Sequence, residues 1–327
     1  LQPMNPHTLP ALVGDVGGTN ARFALIDGPG QRLRELRILP TADFSDLASA
    51  MQAYLQELGG PRIQRACVAL ANPIDGDWLR MTNTRWAFSV AATQAALGLT
   101  ELRMLNDWEA MALAVPTLGV HERIAIGGGQ AVPNAPCGLI GPGTGLGVSS
   151  LVRSRAGEWL ALPGEGGHVT LSPGHAREAD ILRVLWRHHP HVSAERAISG
   201  MGLENLYQAL CELDGQAAQA LSAAQIAERA LQASCPICLE ALQTLCSLLG
   251  HVAGNLALTL GARGGIYLGG GMLQHWREFF IASPFRASFE AKGRFAPYMQ
   301  SIPTWLICAE QPALRGAALA LGLHSTA

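Results

Sequence analysis

Lysine is almost missing from this sequence, because Lys292 is the only one among 327 residues. A Walker-type phosphate loop needs a lysine directly after its glycines, and no glycine run here has one. An enzyme that forms a Schiff base would have to use Lys292, which stands in no recognisable site context. The P-loop nucleotide enzymes are therefore excluded, and Schiff-base catalysis has no support.

Charge is also scarce: 15% of the residues are charged and 49% are hydrophobic, with a formal net charge of -2. This composition is typical of a globular chain and not of a disordered one. The lack of a basic excess argues against a nucleic-acid partner. A chain of this length exceeds the usual size of one hydrophobic core, so we expect two domains.

The seven cysteines are odd in number and scattered, which does not suit a disulfide framework and suits a reducing compartment. Cys235 and Cys238 form a CxxC, but no second CxxC or histidine pair at zinc spacing accompanies them. A structural role is the preferred interpretation, with a metal or redox role as the alternative. The first ten residues lack a basic region followed by an apolar core, so we expect no signal peptide and a cytoplasmic location.

Long uncharged segments are also rare, and the clearest one is residues 245–262. It contains a GxxxG motif at Gly250 and Gly254. His251 and Asn255 interrupt it, and it has no aromatic or basic flanks. A buried helix is therefore predicted in preference to a membrane span.

Strand and helix patterns alternate in the first third, which predicts an α/β fold. The predicted strands include "ALVGDV", "NARFALID" up to the turn "DGPG", "ELRILP", "RACVAL" and "ELRMLND". A helix is predicted in "DFSDLASAMQAYLQEL", with Asp43 or Ser45 as its cap. Helical patterns dominate from about residue 178 to 260, and "GGIYLGGGML" predicts a further strand. Two glycine-rich strand–turn–strand units, at residues 14–20 and 141–147, hint at duplicated halves.

Three glycine runs could approach phosphate through backbone N–H groups, which bind anions without lysine. The candidate residues are Gly14, Asp15, Gly17, Gly18, Thr19 and Asn20 in the first run, Gly143, Thr144 and Gly145 in the second, and Gly270 and Gly271 in the third. Asp15 would repel phosphate directly, so we expect it to hold Mg²⁺. Plain turns are the alternative for each run. A Rossmann dinucleotide site would need GxGxxG spacing, which none of the runs has.

Asn106 and Asp107 stand where an apolar strand ends and a helix begins, a place where α/β proteins bind ligands. Alternatively, Asp107 only caps the helix. A capping box starting at Asp107 would need a glutamate at Ala110, so no box is expected.

Further carboxylates occur in "LPGEGGHVT", with Glu165 and His168, and in "VSAERAISG", with Glu195. Pro163 and the paired glycines predict that the first of these segments is not helical. Carboxylate, imidazole and amide groups on loops suit the many hydroxyl groups of a sugar. For Glu195, an acid at a helix start is the alternative.

Taken together, the motifs resemble those of bacterial glucokinases of the hexokinase type, within the actin-like ATPase superfold. The resemblance covers nearly the whole chain, through "LVGDVGGTNARFAL", "MTNTRWAFS", "LNDWEAMA", "GPGTGLGV", "LPGEGGHV", "HVSAERAISG", "GNLALTLG", "GGIYLGGGM" and "PALRGAA". Related sugar kinases and repressors carry a zinc-binding cysteine cluster that this sequence lacks, which favours the glucokinase branch without structural zinc.

The resemblance implies ATP-dependent phosphorylation of glucose at its 6-hydroxyl, with Asp107 as catalytic base. It also implies that Asn106, Glu165, His168 and Glu195 bind glucose and that the glycine runs bind MgATP. The expected fold has a smaller α/β lobe (residues 1–117, with 310–327 returning to it) and a larger α+β lobe (118–309) around a deep cleft, a ribonuclease H-like architecture. A homodimer is implied as well.

Two alternatives come from other functional classes. A sugar-responsive regulator on this fold would carry a DNA-binding module before the first loop, where only about ten residues precede the first strand, fewer than such a module needs. A dehydrogenase fails on glycine spacing.

Overall fold

A computed structural model describes residues 9–29 and 31–323. Gly30, in the predicted "DGPG" turn, and the chain ends assigned to the smaller lobe lie outside the described residues. The chain divides into two compact units, Leu1–Gly119 with Ala309–Ala327, and Val120–Cys308. Each unit combines a mixed sheet with helices, in agreement with the predicted α/β class.

The first unit contains a five-stranded sheet in the order β3-β2-β1-β4-β7, and a separate hairpin of β5 and β6. Its strands are β1 (Ala11–Val16), β2 (Asn20–Ile26), β3 (Arg34–Pro40), β4 (Arg65–Leu70), β5 (Trp78–Arg80), β6 (Ala87–Ser89) and β7 (Glu101–Asn106). Its helices are α1 (Leu47–Glu57), α2 (Val90–Ala96), α3 (Asp107–Ala114) and α12 (Pro312–Ala320). β1 pairs antiparallel with β2 and parallel with β4, and β4 pairs parallel with β7.

The cap predicted for α1 is wrong. Asp43 lies in a 3₁₀ turn, and the helix begins at Leu47 with Asp46 as its N-cap. The Asp46 carboxylate accepts a hydrogen bond from the N–H of Ser49 at 2.8 Å, and the Ser49 hydroxyl in turn accepts one from the N–H of Asp46. Because the 3₁₀ turn occupies residues 41–43, the helix begins further along the chain, and Asp46 is the residue immediately before it.

The second unit contains a six-stranded sheet in the order β11-β10-β9-β12-β13-β8. Its strands are β8 (Arg123–Ala125), β9 (Cys137–Pro142), β10 (Leu146–Arg153), β11 (Trp159–Gly164), β12 (Gly265–Leu268) and β13 (Thr304–Ile307). Its helices are α4 (Ala176–His188), α5 (Gly200–Leu213), α6 (Ala223–Leu231), α7 (Pro236–Leu260), α8 (Gly271–His275), α9 (Arg277–Ala282), α10 (Phe285–Glu290) and α11 (Ala296–Gln300).

The two sheets share one topology apart from the added edge strand β8. In each, three strands form an antiparallel meander, and two later strands add in parallel beside the first strand of the meander. The glycine turns at residues 17–19 and 143–145 join the first two strands of their sheets. This equivalence agrees with the duplication that the two glycine hairpins predicted.

Helix α7 crosses the core of the second unit. It is the one helix in the described part of the chain that is long and apolar enough to span a membrane. However, 67% of its most apolar 18-residue stretch is buried inside the protein. Apolar residues such as Leu242, Leu245 and Leu249 are fully buried against the neighbouring helices. The prediction of a buried helix is confirmed.

Candidate functional site

The first glycine run forms a tight turn between β1 and β2. The N–H of Gly17 donates to the carbonyl of Asn20 at 2.9 Å, which closes the turn. The hydroxyl of Thr41 donates to the carbonyl of Gly18 at 2.8 Å. A β-carbon on Gly18 would lie 2.7 Å from Cβ of Asn83, so a side chain at this position would displace the neighbouring loop. Contacts on both sides thus hold the turn in one conformation.

Asp15 lies on β1 just before this turn, opposite Arg22 on β2. Arg22 Nη1 donates to Asp15 Oδ2 at 3.3 Å, and the Asp15 side chain is 20% exposed. Burial raises the pKa of Asp15 above its ordinary value, although Arg22 opposes this effect. Sequence reasoning missed Arg22, which the hairpin register would have placed opposite Asp15.

Asn106 and Asp107 mark the junction of β7 and α3, and the structure corrects their capping roles. Asn106 is the N-cap, and its side-chain oxygen accepts hydrogen bonds from the N–H groups of Trp108 at 2.9 Å and Glu109 at 3.3 Å. Glu109 completes a capping box by accepting from the N–H of Asn106. The helix begins at Asp107, one residue earlier than the sequence suggested, so the box glutamate falls at position 109.

Parallel strand register places these elements at one edge of the first sheet. Val16 of β1 is level with Leu70 of β4, which is level with Asn106 of β7. The side-chain amide of Asn106 donates to the carbonyl of Asn72, just after β4, at 3.3 Å. β1 and β7 are two strand spacings apart, about 10 Å, so the glycine turn and Asp107 belong to one surface of the first unit.

The second glycine run forms the turn between β9 and β10 in the second unit. The N–H of Gly143 donates to the carbonyl of Gly145 at 2.8 Å. Glu195 lies in a 3₁₀ turn, Ala194–Arg196, and its Oε2 accepts a hydrogen bond from the N–H of Leu146 at 2.9 Å. A β-carbon on Gly145 would overlap this carboxylate oxygen. Glu195 therefore supports the glycine turn, and it is at the same time an acid in the first turn of a short helix, as the alternative predicted.

Glu165 and His168 follow β11 and are both exposed. The segment was predicted to be non-helical, but Gly166–His168 forms one 3₁₀ turn, with the N–H of His168 donating to the carbonyl of Glu165 at 3.0 Å. Gly167 leaves no room for a side chain, because a β-carbon would overlap the carbonyl of Leu146. The glycines thus permit a tight turn packed against β10, beside the glycine turn that Glu195 supports.

The third glycine run follows β12. The N–H of Gly269 donates to the carbonyl of Ile140 in β9 at 3.1 Å. Gly270 has a φ of 96°, and a β-carbon there would overlap the carbonyl of Pro142. Glycine is required at this position for both reasons. The third run therefore lies against the end of β9, next to the second glycine turn.

Within the described residues, the predicted site residues form one group in each unit. The first comprises Gly14, Asp15, Gly17, Gly18, Thr19, Asn20, Asn106 and Asp107, and the second comprises Gly143, Thr144, Gly145, Glu165, His168, Glu195, Gly270 and Gly271. No cluster of three or more histidine, cysteine, aspartate or glutamate residues that could hold a metal by itself occurs in the described chain.

Comparison with known proteins gives consistent matches. The glucokinase family model matches residues 12–324. A glucokinase of Aromatoleum aromaticum is 52% identical over 317 residues, which cover 96% of this chain and 95% of that protein. A crystal structure of a glucokinase from an Antarctic psychrotroph has a TM-score of 0.88 at 37% identity, covering 96% of this chain and 98% of that one. A ROK family glucokinase from Streptomyces griseus, crystallised with glucose and AMPPNP, shares the fold with a TM-score of 0.62 at 18% identity, covering 95% and 98%.

Proposed function

The chain belongs to the glucokinase family, and from this premise we propose that it transfers the γ-phosphoryl group of ATP to the 6-hydroxyl of glucose. The observation that carries the proposal is the 2.9 Å hydrogen bond between Glu195 and the N–H of Leu146. Through this hydrogen bond the Glu195 carboxylate, which is suited to bind sugar hydroxyl groups, is attached to the glycine turn at residues 143–145, which is suited to bind phosphate. One rigid group of residues can therefore orient acceptor and donor together.

Asp107 is the proposed general base for the 6-hydroxyl proton. Its backbone N–H belongs to the first turn of α3, while Asn106 supplies the N-cap. Asp107 Oδ1 also accepts a hydrogen bond from the N–H of Trp108 at 2.9 Å, but the N-cap position itself belongs to Asn106. Phosphoryl transfer has a loose transition state, so this positioning is the main contribution that such groups make.

The glycine turns are the proposed donor-binding elements. The N–H groups of Gly17 and Gly143 close their own turns by donating to the carbonyls of Asn20 and Gly145, so these two glycines shape the turns. The backbone N–H groups proposed for phosphate are those of Gly18 and Thr19 in the first unit and of Gly145 in the second, and a β-carbon has no room at Gly18 or Gly145. Such groups stabilise phosphate oxygens in a water-poor site without a lysine. Thr144 and Asn20 add neutral donors, and Gly270 and Gly271 approach the adenosine side.

Magnesium is part of this proposal, with Asp15 as its protein ligand. Mg²⁺ in phosphoryl-transfer enzymes is usually held by one or two carboxylates together with substrate phosphates. Asp15 suits this pattern because it is partly buried beside a glycine turn and its pKa is raised by that burial. A bound cation would offset the free-energy cost of keeping the buried Asp15 carboxylate ionised. It would also neutralise charge on the phosphate groups.

The remaining sugar contacts are proposed for Glu165 and His168, which would face the hydroxyls at positions 1 and 2 of the sugar. The proposal also includes the actin-like arrangement, in which residues 1–117 with 310–327 and residues 118–309 form two lobes. Lobe closure on both substrates would exclude water, which otherwise competes for the phosphoryl group. The shared order of the two sheets supports this architecture.

We also propose that the protein is a homodimer located in the cytoplasm, and the dimer is proposed because of the family resemblance. Light scattering of the purified protein across a concentration series tests the dimer. A mass of one chain at all concentrations would exclude it.

The decisive experiment is a coupled assay of the purified chain with a panel of hexoses and of donors that includes ATP, ADP and polyphosphate. We expect turnover with glucose and ATP in the presence of Mg²⁺. Saturable glucose binding without turnover of any donor would instead support a non-catalytic, sugar-responsive protein.

A further inference from the structure

The CxxC motif lies at the start of the longest helix, outside the groups of residues assigned to the kinase reaction. Cys235 is the N-cap of α7, Pro236 is its first residue, and Cys238 lies on its first turn. The N–H of Cys238 donates to Cys235 Sγ at 3.4 Å. The side chains of Cys235 and Cys238 also interact with each other. The sulfur atoms are thus neighbours in the reduced protein.

The two thiols differ in access to solvent. Cys235 is partly exposed, whereas Cys238 is completely buried among residues of the helical core. A reagent in solution would therefore reach Cys235 first, and Cys238 could react only with a group already attached to Cys235. This division of roles between an accessible and a buried thiol is the arrangement that a dithiol redox site needs.

The surroundings also favour ionisation of Cys235. Partial burial raises its pKa, but hydrogen bonds from the Cys238 thiol and from the N–H groups of Cys238 and Ile237, together with the charge of Arg229, lower it below the ordinary value. Burial and the neighbouring Cys235 sulfur raise the pKa of Cys238 to about 12. Cys235 is therefore the thiol suited to attack an oxidant, and Cys238 is the thiol that would displace the group attached to Cys235.

We propose that Cys235 and Cys238 form a redox-active dithiol, which a small-molecule disulfide oxidises to an intramolecular disulfide. Residues three apart at a helix start have their β-carbons about 5–6 Å apart, so a small adjustment of the first turn brings them to disulfide geometry. The site is separate from the proposed kinase residues, and its chemistry does not depend on them.

The reaction consists of two exchanges that balance. The Cys235 thiolate attacks one sulfur of the oxidant RSSR, whose S–S bond breaks, giving a mixed disulfide and RS⁻. The Cys238 thiol then loses its proton to RS⁻ and attacks Cys235 Sγ, which expels the second RS⁻. That thiolate takes up the proton that Cys235 had released to solvent. The protein loses two electrons and two protons, and two RSH are formed.

Zinc binding is the alternative for a CxxC, and the structure offers it little support. A structural zinc site uses four ligands. Within the described residues, no group of three or more potential ligands is positioned to hold a metal. The pair therefore suits thiol chemistry better than metal binding.

The test uses the full chain equilibrated in buffers of reduced and oxidised glutathione, followed by acid quenching, alkylation and peptide mass spectrometry. We expect a reversible Cys235–Cys238 disulfide in the wild-type chain. The variant Cys238→Ser should accumulate a glutathione adduct on Cys235, because the resolving thiol is gone. The variant Cys235→Ser should leave Cys238 unmodified, because Cys238 is buried.

Cys308 provides the matched control, since it is the other partly exposed cysteine among those described. In the Cys238→Ser chain, Cys235 should form its adduct at least about tenfold faster than Cys308, as an activated thiol does. The Cys235→Ser, Cys238→Ser double variant should retain kinase activity and its melting temperature. Equal rates at Cys235 and Cys308, persistent reduction of the pair under oxidising buffers, or stoichiometric zinc in the native protein would each overturn the proposal.

Discussion

Glu195 and Leu146 are joined by a hydrogen bond in which the backbone N–H of Leu146 donates to the Glu195 carboxylate at 2.9 Å. Leu146 begins β10 directly after the glycine turn at residues 143–145. The Ser199 hydroxyl fixes the backbone of Glu195 by donating to its carbonyl at 2.8 Å. The position of this carboxylate is therefore coupled to the conformation of the glycine turn.

This coupling predicts different effects for two neighbouring glycines. In Gly145→Ala the new β-carbon would overlap Glu195 Oε2, whereas in Gly143→Ala it enters open space. Loss of a charged hydrogen bond costs about 1.5–3 kcal/mol, so Gly145→Ala should reduce kcat/KM for glucose roughly 10–100-fold. Gly143→Ala is the control and should change the KM for ATP alone. Steady-state kinetics with each substrate varied would detect the difference, and equal glucose kinetics in both variants would contradict the coupling.

Asp107→Asn tests the catalytic base. The substitution preserves size and leaves Asn106 as the helix cap, so the melting temperature and calorimetric glucose binding should change little. Because asparagine cannot accept the proton, kcat should fall about 10²–10⁴-fold. Turnover within about threefold of wild type would remove Asp107 from this role, since a general base contributes far more. Glu165 would then be the next carboxylate to test.

Asp15→Ala tests the proposed magnesium ligand. We expect the KM for MgATP to rise at least about tenfold, because a ligand carboxylate contributes more than one charged hydrogen bond. High Mg²⁺ should restore part of the loss. The control is Asp27→Ala, which removes an exposed carboxylate paired with Arg34 in the same unit. Similar MgATP kinetics in the two variants would argue against a metal-binding role.

Sugar specificity should be high. Asn106, Glu165, His168 and Glu195 are all polar, and a site built to bond particular hydroxyls discriminates against a sugar that misplaces one. We expect kcat/KM for glucose to exceed that for mannose and fructose by at least about 100-fold. Competition assays with mixed hexoses measure this ratio directly. Comparable values for the three sugars would be incompatible with the proposed contacts.

Glu178 should make stability depend on pH in acid. Its side chain is only 1% exposed. Burial raises its pKa, but the imidazole of His251 at 3.4 Å and hydrogen bonds from the Ser247 hydroxyl and the N–H of Gly174 outweigh burial and lower the pKa to about 2. Because the folded pKa is below the unfolded value, the ionised carboxylate stabilises the protein above about pH 4.5, and this stability is lost as pH falls toward 2.

The substitution Glu178→Gln should therefore flatten the acid limb of the stability curve, by about 2 kcal/mol between about pH 6 and about pH 3. Urea unfolding between about pH 6 and about pH 3 measures the change. Glu228→Gln, at an exposed position on α6, is the control and should retain the wild-type slope. An unchanged slope in Glu178→Gln would show that other groups govern acid unfolding.

Local sequence signals were sufficient for the elements that carry the site. Short apolar runs predicted β1, β2, β3, β4 and β7, and glycine runs marked the turns at residues 17–19 and 143–145. These features follow from steric and hydrogen-bonding preferences of a few adjacent residues, so a linear reading detects them. Helix starts were predicted less well, because one residue decides whether Asp107 caps α3 or belongs to it. The same is true of Asp46, which caps α1 after an unforeseen 3₁₀ turn.

Contacts between distant segments were decided by the tertiary structure alone. No pattern in the sequence relates Glu195 to Leu146, which are 49 residues apart. Nor does any pattern show that Gly18 must accommodate Asn83, or that Glu178 accepts hydrogen bonds from the loop at Gly174 and from helix α7. The sequence by itself determined which groups are available and which turns present backbone N–H groups. Strand register and helix packing determined which of those groups meet, because only a folded core brings remote side chains to hydrogen-bonding distance.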